Sequence, residues 1–296
     1  AKSRSASAPS CATALLRGEG VAAGERGVRL DALTRALLGA RAGVEPSKRR
    51  EATPRVLVGR DRELRRLDDL RDESTEERRA RVALLVGAAG TGKSRLAGEF
   101  LERAQKAGAR CVAVSLASHE REGRAYGLAG AVLREALGVE PGLAHEAQAR
   151  ALRSSLTSLG ALPGVPDDGR ALWAVATLLG LDGARSVGAF EGAAWAHVER
   201  DPSWRAELLS SVFEACFAAY CARACGASDG GVVLVCDGLE AADRASLAAL
   251  DRALRAVREL PVCVLACARP ELLERAPALG FEREPQLARP ERERQQ

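Results

Sequence analysis

Arg81-Val-Ala-Leu-Leu-Val86 runs directly into Gly87-Ala-Ala-Gly-Thr-Gly-Lys-Ser94, and the reading of these two stretches decides the fold. The first is short and apolar, as a buried strand is. The second has the spacing G-x-x-x-x-G-K-[ST] through Gly87, Gly92, Lys93 and Ser94, and an amphipathic helical pattern follows it with Leu96, Phe100 and Leu101 on one side. Strand, glycine loop and helix in that order predict a phosphate-binding loop. Glycines at 87, 90 and 92 let backbone N–H groups turn inward around phosphate oxygens. Lys93 carries a point charge to the β- and γ-phosphates, and the hydroxyl of Ser94 suits Mg²⁺. The helix that begins near Lys93 adds its positive end. Glycine-rich turns between strand and helix also occur without a ligand. The Lys-Ser pair after a strand is what favours the binding reading.

The composition adds one argument about that lysine. Ile, Asn and Met are absent from the 296 residues, Lys occurs only at positions 2, 48, 93 and 106, and Ala, Arg, Gly and Leu dominate. This is the usage of a GC-rich coding sequence. Lys93 therefore stands against a strong bias to Arg, which supports a task that only Lys performs. The net charge of +4 is small for the length, and Arg is mixed with Asp and Glu along helical stretches. That pattern describes solvated faces rather than a nucleic-acid footprint, so no nucleic-acid partner is expected. The lack of any Met suggests a piece of a longer protein. Residues 1–20 hold no apolar core of signal-peptide length, and the longest apolar runs are strand-sized, so no membrane partner and a cytoplasmic location are expected.

Outward from the loop, strands and helices alternate. Upstream, residues 1–54 form a Ser-, Ala-, Gly- and Arg-rich connector with one amphipathic stretch, Val28-Arg-Leu-Asp-Ala-Leu-Thr-Arg-Ala-Leu-Leu38. A domain over 55–280 opens with Val56-Leu-Val-Gly-Arg-Asp-Arg-Glu-Leu64 and a charged helix to about residue 77, with Leu64, Leu67 and Leu70 on one face. After the loop helix comes a second strand, Arg110-Cys-Val-Ala-Val-Ser-Leu116. A helical insertion over about 126–225 follows, with helices at 128–137, 145–159, 171–179 and 204–225. All three tryptophans, Trp173, Trp195 and Trp204, fall in it. They read as core anchors, with ligand stacking as the alternative.

The β signal returns at Gly231-Val-Val-Leu-Val-Cys-Asp237, a continuous apolar run ending in an acid, as in a buried parallel strand. Ligands of open α/β sheets bind at the carboxyl ends of strands. Asp237 is thereby placed to hold the Mg²⁺ that Ser94 serves, the alternative being a helix-capping or loop carboxylate. A helix over 244–259 and a strand, Pro261-Val-Cys-Val-Leu-Ala-Cys-Ala-Arg269, complete an α/β fold with a mostly parallel, helix-covered sheet. Residues 281–296 form a charged tail expected to be disordered. The eight cysteines contain no C-x-x-C pair. They read as small buried hydrophobes, although Cys221 and Cys225 share a helix face. His119, His145 and His197 are scattered and carry no assigned chemistry.

These motifs together resemble the STAND signalling NTPases, within the wider AAA-like, additional-strand P-loop ATPases. The likeness is carried by Val58-Gly-Arg-Asp-Arg-Glu-Leu64, the 87–94 loop, Val235-Cys-Asp-Gly-Leu-Glu-Ala-Ala-Asp243 with Ser246-Leu247, and Cys267-Ala-Arg-Pro-Glu-Leu272. It is nearest to the ATPase region of large bacterial serine/threonine kinases and cyclases. The resemblance implies ATP and Mg²⁺ as ligands and attached signalling domains of kinase or cyclase type as partners. It places Val58, Gly59 and Arg60 beside the adenine and makes Arg269 a γ-phosphate sensor, where the plain alternative is a surface cation. The family usually has two acids in a row at the strand end, the second activating water. Here the second is Gly238, and glycine accepts no proton; Glu240 and Asp243 are the nearby carboxylates that could substitute. The resemblance implies a lid, a winged helix and repeats after the last strand, and residues 281–296 are expected to hold none of them, so that the stretch covers the nucleotide core. Three functions remain open from sequence: a nucleotide-controlled switch with slow or absent hydrolysis, an active ATPase, and a decayed helical interaction module.

Overall fold

The computed structural model describes residues 59–116, 125–139, 145–162, 164–165, 169–181 and 201–275. The expected connector with its 28–38 helix, Val58, Trp195 and the charged tail lie outside them. Eight α-helices and four strands occur among the described residues: α1 (Asp61–Glu76), β1 (Arg81–Val86), α2 (Lys93–Lys106), β2 (Arg110–Ser115), α3 (Gly127–Leu137), α4 (His145–Leu159), α5 (Arg170–Leu179), α6 (Pro202–Ala227), β3 (Val232–Asp237), α7 (Arg244–Ala256), β4 (Val262–Ala268) and α8 (Glu271–Arg275). A short 3₁₀ turn, Leu239–Ala241, follows β3.

The strands form one sheet in the order β1-β4-β3-β2, and every neighbouring pair is parallel. β4 therefore lies between the strand that feeds the glycine loop and the strand that ends in Asp237. This inserted strand defines the additional-strand arrangement. Burial follows position in the sheet. Val232–Cys236 of β3 and all of β4 are buried, whereas edge strand β2 buries Val112 and Val114 and exposes Arg110, Ala113 and Ser115.

Alternation along the strands divides the core into two layers. On one face Leu85, Val233, Val235, Cys263, Leu265 and Cys267 meet Leu64, Leu67 and Leu70 of α1 and Leu96, Ala97 and Phe100 of α2. On the other face Val112, Val114, Val232, Leu234, Val262 and Val264 meet α3, α5, α6 and α7. The segment read as a helical insertion thus supplies most of the sheet's second layer. Two of its helices approach closely at Gly130 of α3, where a Cβ would stand 2.0 Å from the carbonyl oxygen of Leu178 in α5. Only glycine permits that helix contact.

Helix α6 departs from the expectation that no apolar run exceeds strand length. It has 26 residues and is long and apolar enough, by length and composition, to cross a membrane. Leu209, Val212, Phe213, Cys216, Phe217 and Cys221 along it are buried in the second layer, and Phe213 stacks on Phe217 at 6.1 Å. This is the packing of a core helix. Its start is set by Pro202 and by Asp201, whose Oδ1 accepts from the N–H groups of Ser203 at 2.9 Å and Trp204 at 3.2 Å.

Trp204 departs from the core-anchor expectation, whereas Trp173 packs partly buried against the core. Trp204 is 37% exposed, and the guanidinium of Arg170 stands 5.7 Å from its ring centre. Reciprocally, Arg205 stands 5.5 Å from the ring centre of the half-buried Trp173. Two cation–π pairs therefore join α5 to α6 at the surface. The cysteines behave as small hydrophobes: Cys216, Cys221, Cys236, Cys263 and Cys267 are buried, and none of the described cysteines is disulfide-bonded. Burial pushes the thiols of Cys216, Cys236 and Cys263 up to about 12, which keeps them protonated. Among the described residues no group of three or more His, Cys, Asp or Glu could hold a metal ion.

Candidate functional site

Three chain segments meet at the carboxyl end of the sheet. The first is the 87–94 loop between β1 and α2. Its entry is fixed by the N–H of Gly87, which donates to Ala268 O at 3.2 Å and extends the pairing of β1 with β4 by one residue. The chain then curls back: Thr91 Oγ1 donates to Ala88 O at 2.8 Å. Gly90 and Gly92 take φ of +77° and +85°, left-handed values that cost other residues about 1 kcal/mol or more. Gly92 caps α2, so the first N–H groups of that helix have no intrahelical partner and open toward the loop. Lys93 Nζ donates to Gly87 O at 2.7 Å and Ala88 O at 3.0 Å, which holds the ammonium within the curl. Ser94 lies exposed in the first turn of α2.

Arg60 reaches this loop from the start of α1. Its Nη2 donates to Thr91 O at 3.0 Å, while its Nη1 pairs with Glu63 Oε1 at 3.1 Å. The side chain thus braces the loop, and Gly59 beside it turns through φ of +77°. Sequence reasoning missed both this contact and Thr91. A non-glycine loop position carries no pattern that marks it as an internal hydrogen-bond donor.

The second segment is the exit of β3. Asp237 is half-buried, in register with Ser115 of β2 and Cys267 of β4. It follows Val233 and Val235 by twos, which puts it on the sheet face that carries α2 and the loop. No hydrogen bond or ion pair of its carboxylate occurs among the described residues. Next to it, Gly238 has φ of +78°, and its N–H donates to Cys267 O at 3.1 Å. The chain turns out of the strand in a left-handed conformation at this glycine.

Glu240 and Asp243 have different surroundings. Glu240 faces Arg269: Arg269 Nε pairs with Oε1 at 3.1 Å, and the Arg269 backbone N–H donates to Oε2 at 3.2 Å. Asp243 caps α7 and binds a second helix start as well. Its Oδ1 accepts from the N–H groups of Ser246 at 2.8 Å and Tyr126 at 3.0 Å. Its Oδ2 accepts from the Gly127 N–H at 3.0 Å and from Ser246 Oγ at 2.6 Å. A carboxylate with four donors in place is held by the fold. The suggestion that Asp243 activates water therefore meets a competing structural task that explains its presence.

The third segment is the exit of β4, where Cys267, Ala268 and Arg269 follow one another. Cys267 pairs in register with Leu85 on one side and Asp237 on the other. Burial first, then the negative charges of Asp237 and Glu240, push its thiol up to about 12, against the pull of Lys93. Arg269 stands just beyond the residue whose carbonyl receives the Gly87 N–H. Its side chain is 51% exposed and directed to Glu240.

The chemistry of this constellation can be tested against a nucleotide and a divalent cation. A curled loop with left-handed glycines, a lysine inside the curl and an open helix start fits the oxygens of a polyphosphate. A hydroxyl at the helix start and a carboxylate without protein donors fit a hard cation with oxygen ligands. An inserted parallel strand between the loop strand and the acidic strand completes the definition of an additional-strand P-loop NTPase.

The comparison with known families narrows the class. The family model of the AAA ATPase domain matches residues 56–265, most of the chain, and the chain belongs to that family. Domains of this family are nucleotide-binding ATPase modules that bind ATP and typically Mg²⁺. No curated protein and no solved structure matches the chain.

Proposed function

We propose that the chain is a regulatory module that holds ATP·Mg²⁺ and works as a nucleotide-controlled switch, with slow or absent hydrolysis. In this reading Gly87, Gly90, Gly92 and Lys93 hold the phosphates, and Ser94 and Asp237 hold the Mg²⁺. The ion neutralises charge between the outer phosphates. Val58, Gly59 and Arg60 lie on the adenine side, and Arg269 senses the terminal phosphate. Attached signalling domains of kinase or cyclase type would read the occupancy; that context rests on the motif resemblance.

The observation that carries the switch reading is the fate of the three positions after Asp237 that could have supplied a base. Position 238 is a left-handed glycine, Glu240 is paired with Arg269, and Asp243 is tied into two helix starts. General-base catalysis needs a carboxylate within hydrogen-bond reach of the attacking water. None of these three groups is free for that work.

Equilibrium titration of the chain with ATP, ADP and GTP, alongside Lys93→Ala, tests the binding half. Saturable adenine-nucleotide binding that Lys93→Ala abolishes is expected; absence of binding at millimolar ATP and ADP would sink the proposal and leave the helical interaction module. A multiple-turnover phosphate-release assay tests the other half. Clear turnover that Lys93→Ala removes would replace the switch with an active ATPase.

A further inference from the structure

Arg269 and Glu240 sit on the exits of adjacent strands, at the edge of the site rather than on a remote surface. The glutamate takes the arginine at two points, side-chain Nε at 3.1 Å and backbone N–H at 3.2 Å. A single carboxylate bound to both ends of one residue fixes its direction better than an exposed ion pair does. It is also a chemical mimic of what a phosphate presents to an arginine: two oxygens sharing negative charge in a plane. The position is suitable for competition. The residue before Arg269 receives the Gly87 N–H, and the residue after Asp237 donates to Cys267 O, so the pair lies between the phosphate loop and the acidic strand end.

We infer that Glu240 is a positioning residue that competes with the terminal phosphate of a bound nucleotide for Arg269, and so sets how well this site tells a triphosphate from a diphosphate. The inference rests on the reading of Arg269 as the phosphate-sensing residue. A guanidinium already neutralised by a carboxylate gains less from a phosphate than a free one does, because the pair must be broken first. A diphosphate that does not extend to Arg269 leaves the pair intact. Triphosphate binding therefore bears the cost of releasing Arg269 from Glu240, and diphosphate binding does not. In the triphosphate-bound state Arg269 moves from Glu240 to the phosphate, so one contact reports the nucleotide state to the turn at Leu239–Ala241.

The test is the ratio of the dissociation constants for ADP and ATP, measured with Mg²⁺ by calorimetric titration of the full chain and three variants: Glu240→Gln, Arg269→Ala and the double variant. Gln keeps an oxygen for the Arg269 N–H and removes the charge. Thermal melts check that each variant is folded. The expected result is a preference for ATP that rises about three- to tenfold in Glu240→Gln, falls in Arg269→Ala, and is the same in the double variant as in Arg269→Ala. If Arg269→Ala lowers the preference and Glu240→Gln leaves it unchanged, the competition is refuted while the sensor reading stands. Should Glu240→Gln raise the preference equally with and without Arg269, its effect is a general one of charge, and the inference again fails. An Arg269→Ala variant with unaltered preference overturns the sensor reading and the inference with it.

Discussion

Replacing Asp243 separates a structural carboxylate from a catalytic one. The wild-type side chain accepts four hydrogen bonds, from the backbones of Ser246, Tyr126 and Gly127 and from Ser246 Oγ, with lengths of 2.8, 3.0, 3.0 and 2.6 Å. Asp243→Ala removes the cap of α7, worth about 1 kcal/mol. It also orphans the donors at the start of α3 and the hydroxyl of the fully buried Ser246, each costing about 1–3 kcal/mol where water does not replace the acceptor. One cap and three orphaned donors, the Tyr126 and Gly127 N–H groups and the Ser246 hydroxyl, each at the low end of its range, together give a loss of about 4 kcal/mol. For a domain of this size each kcal/mol lowers Tm by about 2–4 °C, so a fall of about 10 °C is expected. Asp243→Asn keeps one acceptor and turns an NH₂ toward the remaining donors, for a loss of about 2 kcal/mol. Thermal melts followed by circular dichroism, with urea titrations at 25 °C, measure both. Nucleotide affinity measured well below the transition should stay within about threefold of wild type. An Asp243→Asn chain that melts within about 2 °C of wild type while losing phosphate release would refute the capping assignment and return Asp243 to the chemistry.

Lys93→Ala should do the opposite. Its recorded bonds go to the loop carbonyls of Gly87 and Ala88, so the nucleotide-free Tm should shift by less than about 2 °C, while the stabilisation that ATP·Mg²⁺ gives the wild type disappears from the melt. Gly130→Ala forces a methyl group to 2.0 Å from Leu178 O, so α3 and α5 must separate; a loss of about 3 kcal/mol is expected in urea denaturation, and unchanged stability would contradict the packing described. Gly238→Ala places a Cβ at φ of +78°, and should lower Tm by about 2–4 °C through roughly 1 kcal/mol of backbone strain.

The strands were legible to within a residue or two because parallel strands buried on both faces have to be continuous apolar runs. Val232–Asp237 and Val262–Ala268 are the two central strands, and they are the two clearest runs in the sequence. The helices were legible for a related reason: apolar residues at helical spacing mark a buried side. What spacing cannot show is which surface covers that side. The stretch from 126 to 225 lies between β2 and β3 as expected, but its spacing does not show that α3 and α6 cover the sheet beside α7 and build its second layer. Trp204 misled for a matching cause. Low aromatic content suggested that each was needed in the core, but a large ring beside arginines is also stabilised at the surface, and the Arg170–Trp204 and Arg205–Trp173 pairs use that alternative.

The carboxylates after β3 show where sequence reasoning stops. Asp237, Glu240 and Asp243 are close neighbours in the chain, and composition treats them alike. The backbone distinguishes them. Asp237 still follows the strand's alternation and keeps its carboxylate oxygens free of described protein donors. The left-handed turn at Gly238 then breaks that alternation, so the following side chains no longer share its face by counting twos. Glu240 meets Arg269 after the turn, and Asp243 meets the N–H groups of two helix starts. A carboxylate accepts whatever donors the fold brings within about 3 Å, and at each of these positions the donors differ. Gly238 thus has two linked consequences: it offers no side chain next to Asp237, and beyond its turn the remaining acids meet partners that occupy them. The proposed switch rests on both, since each acid on this turn after Gly238 already has donors of its own.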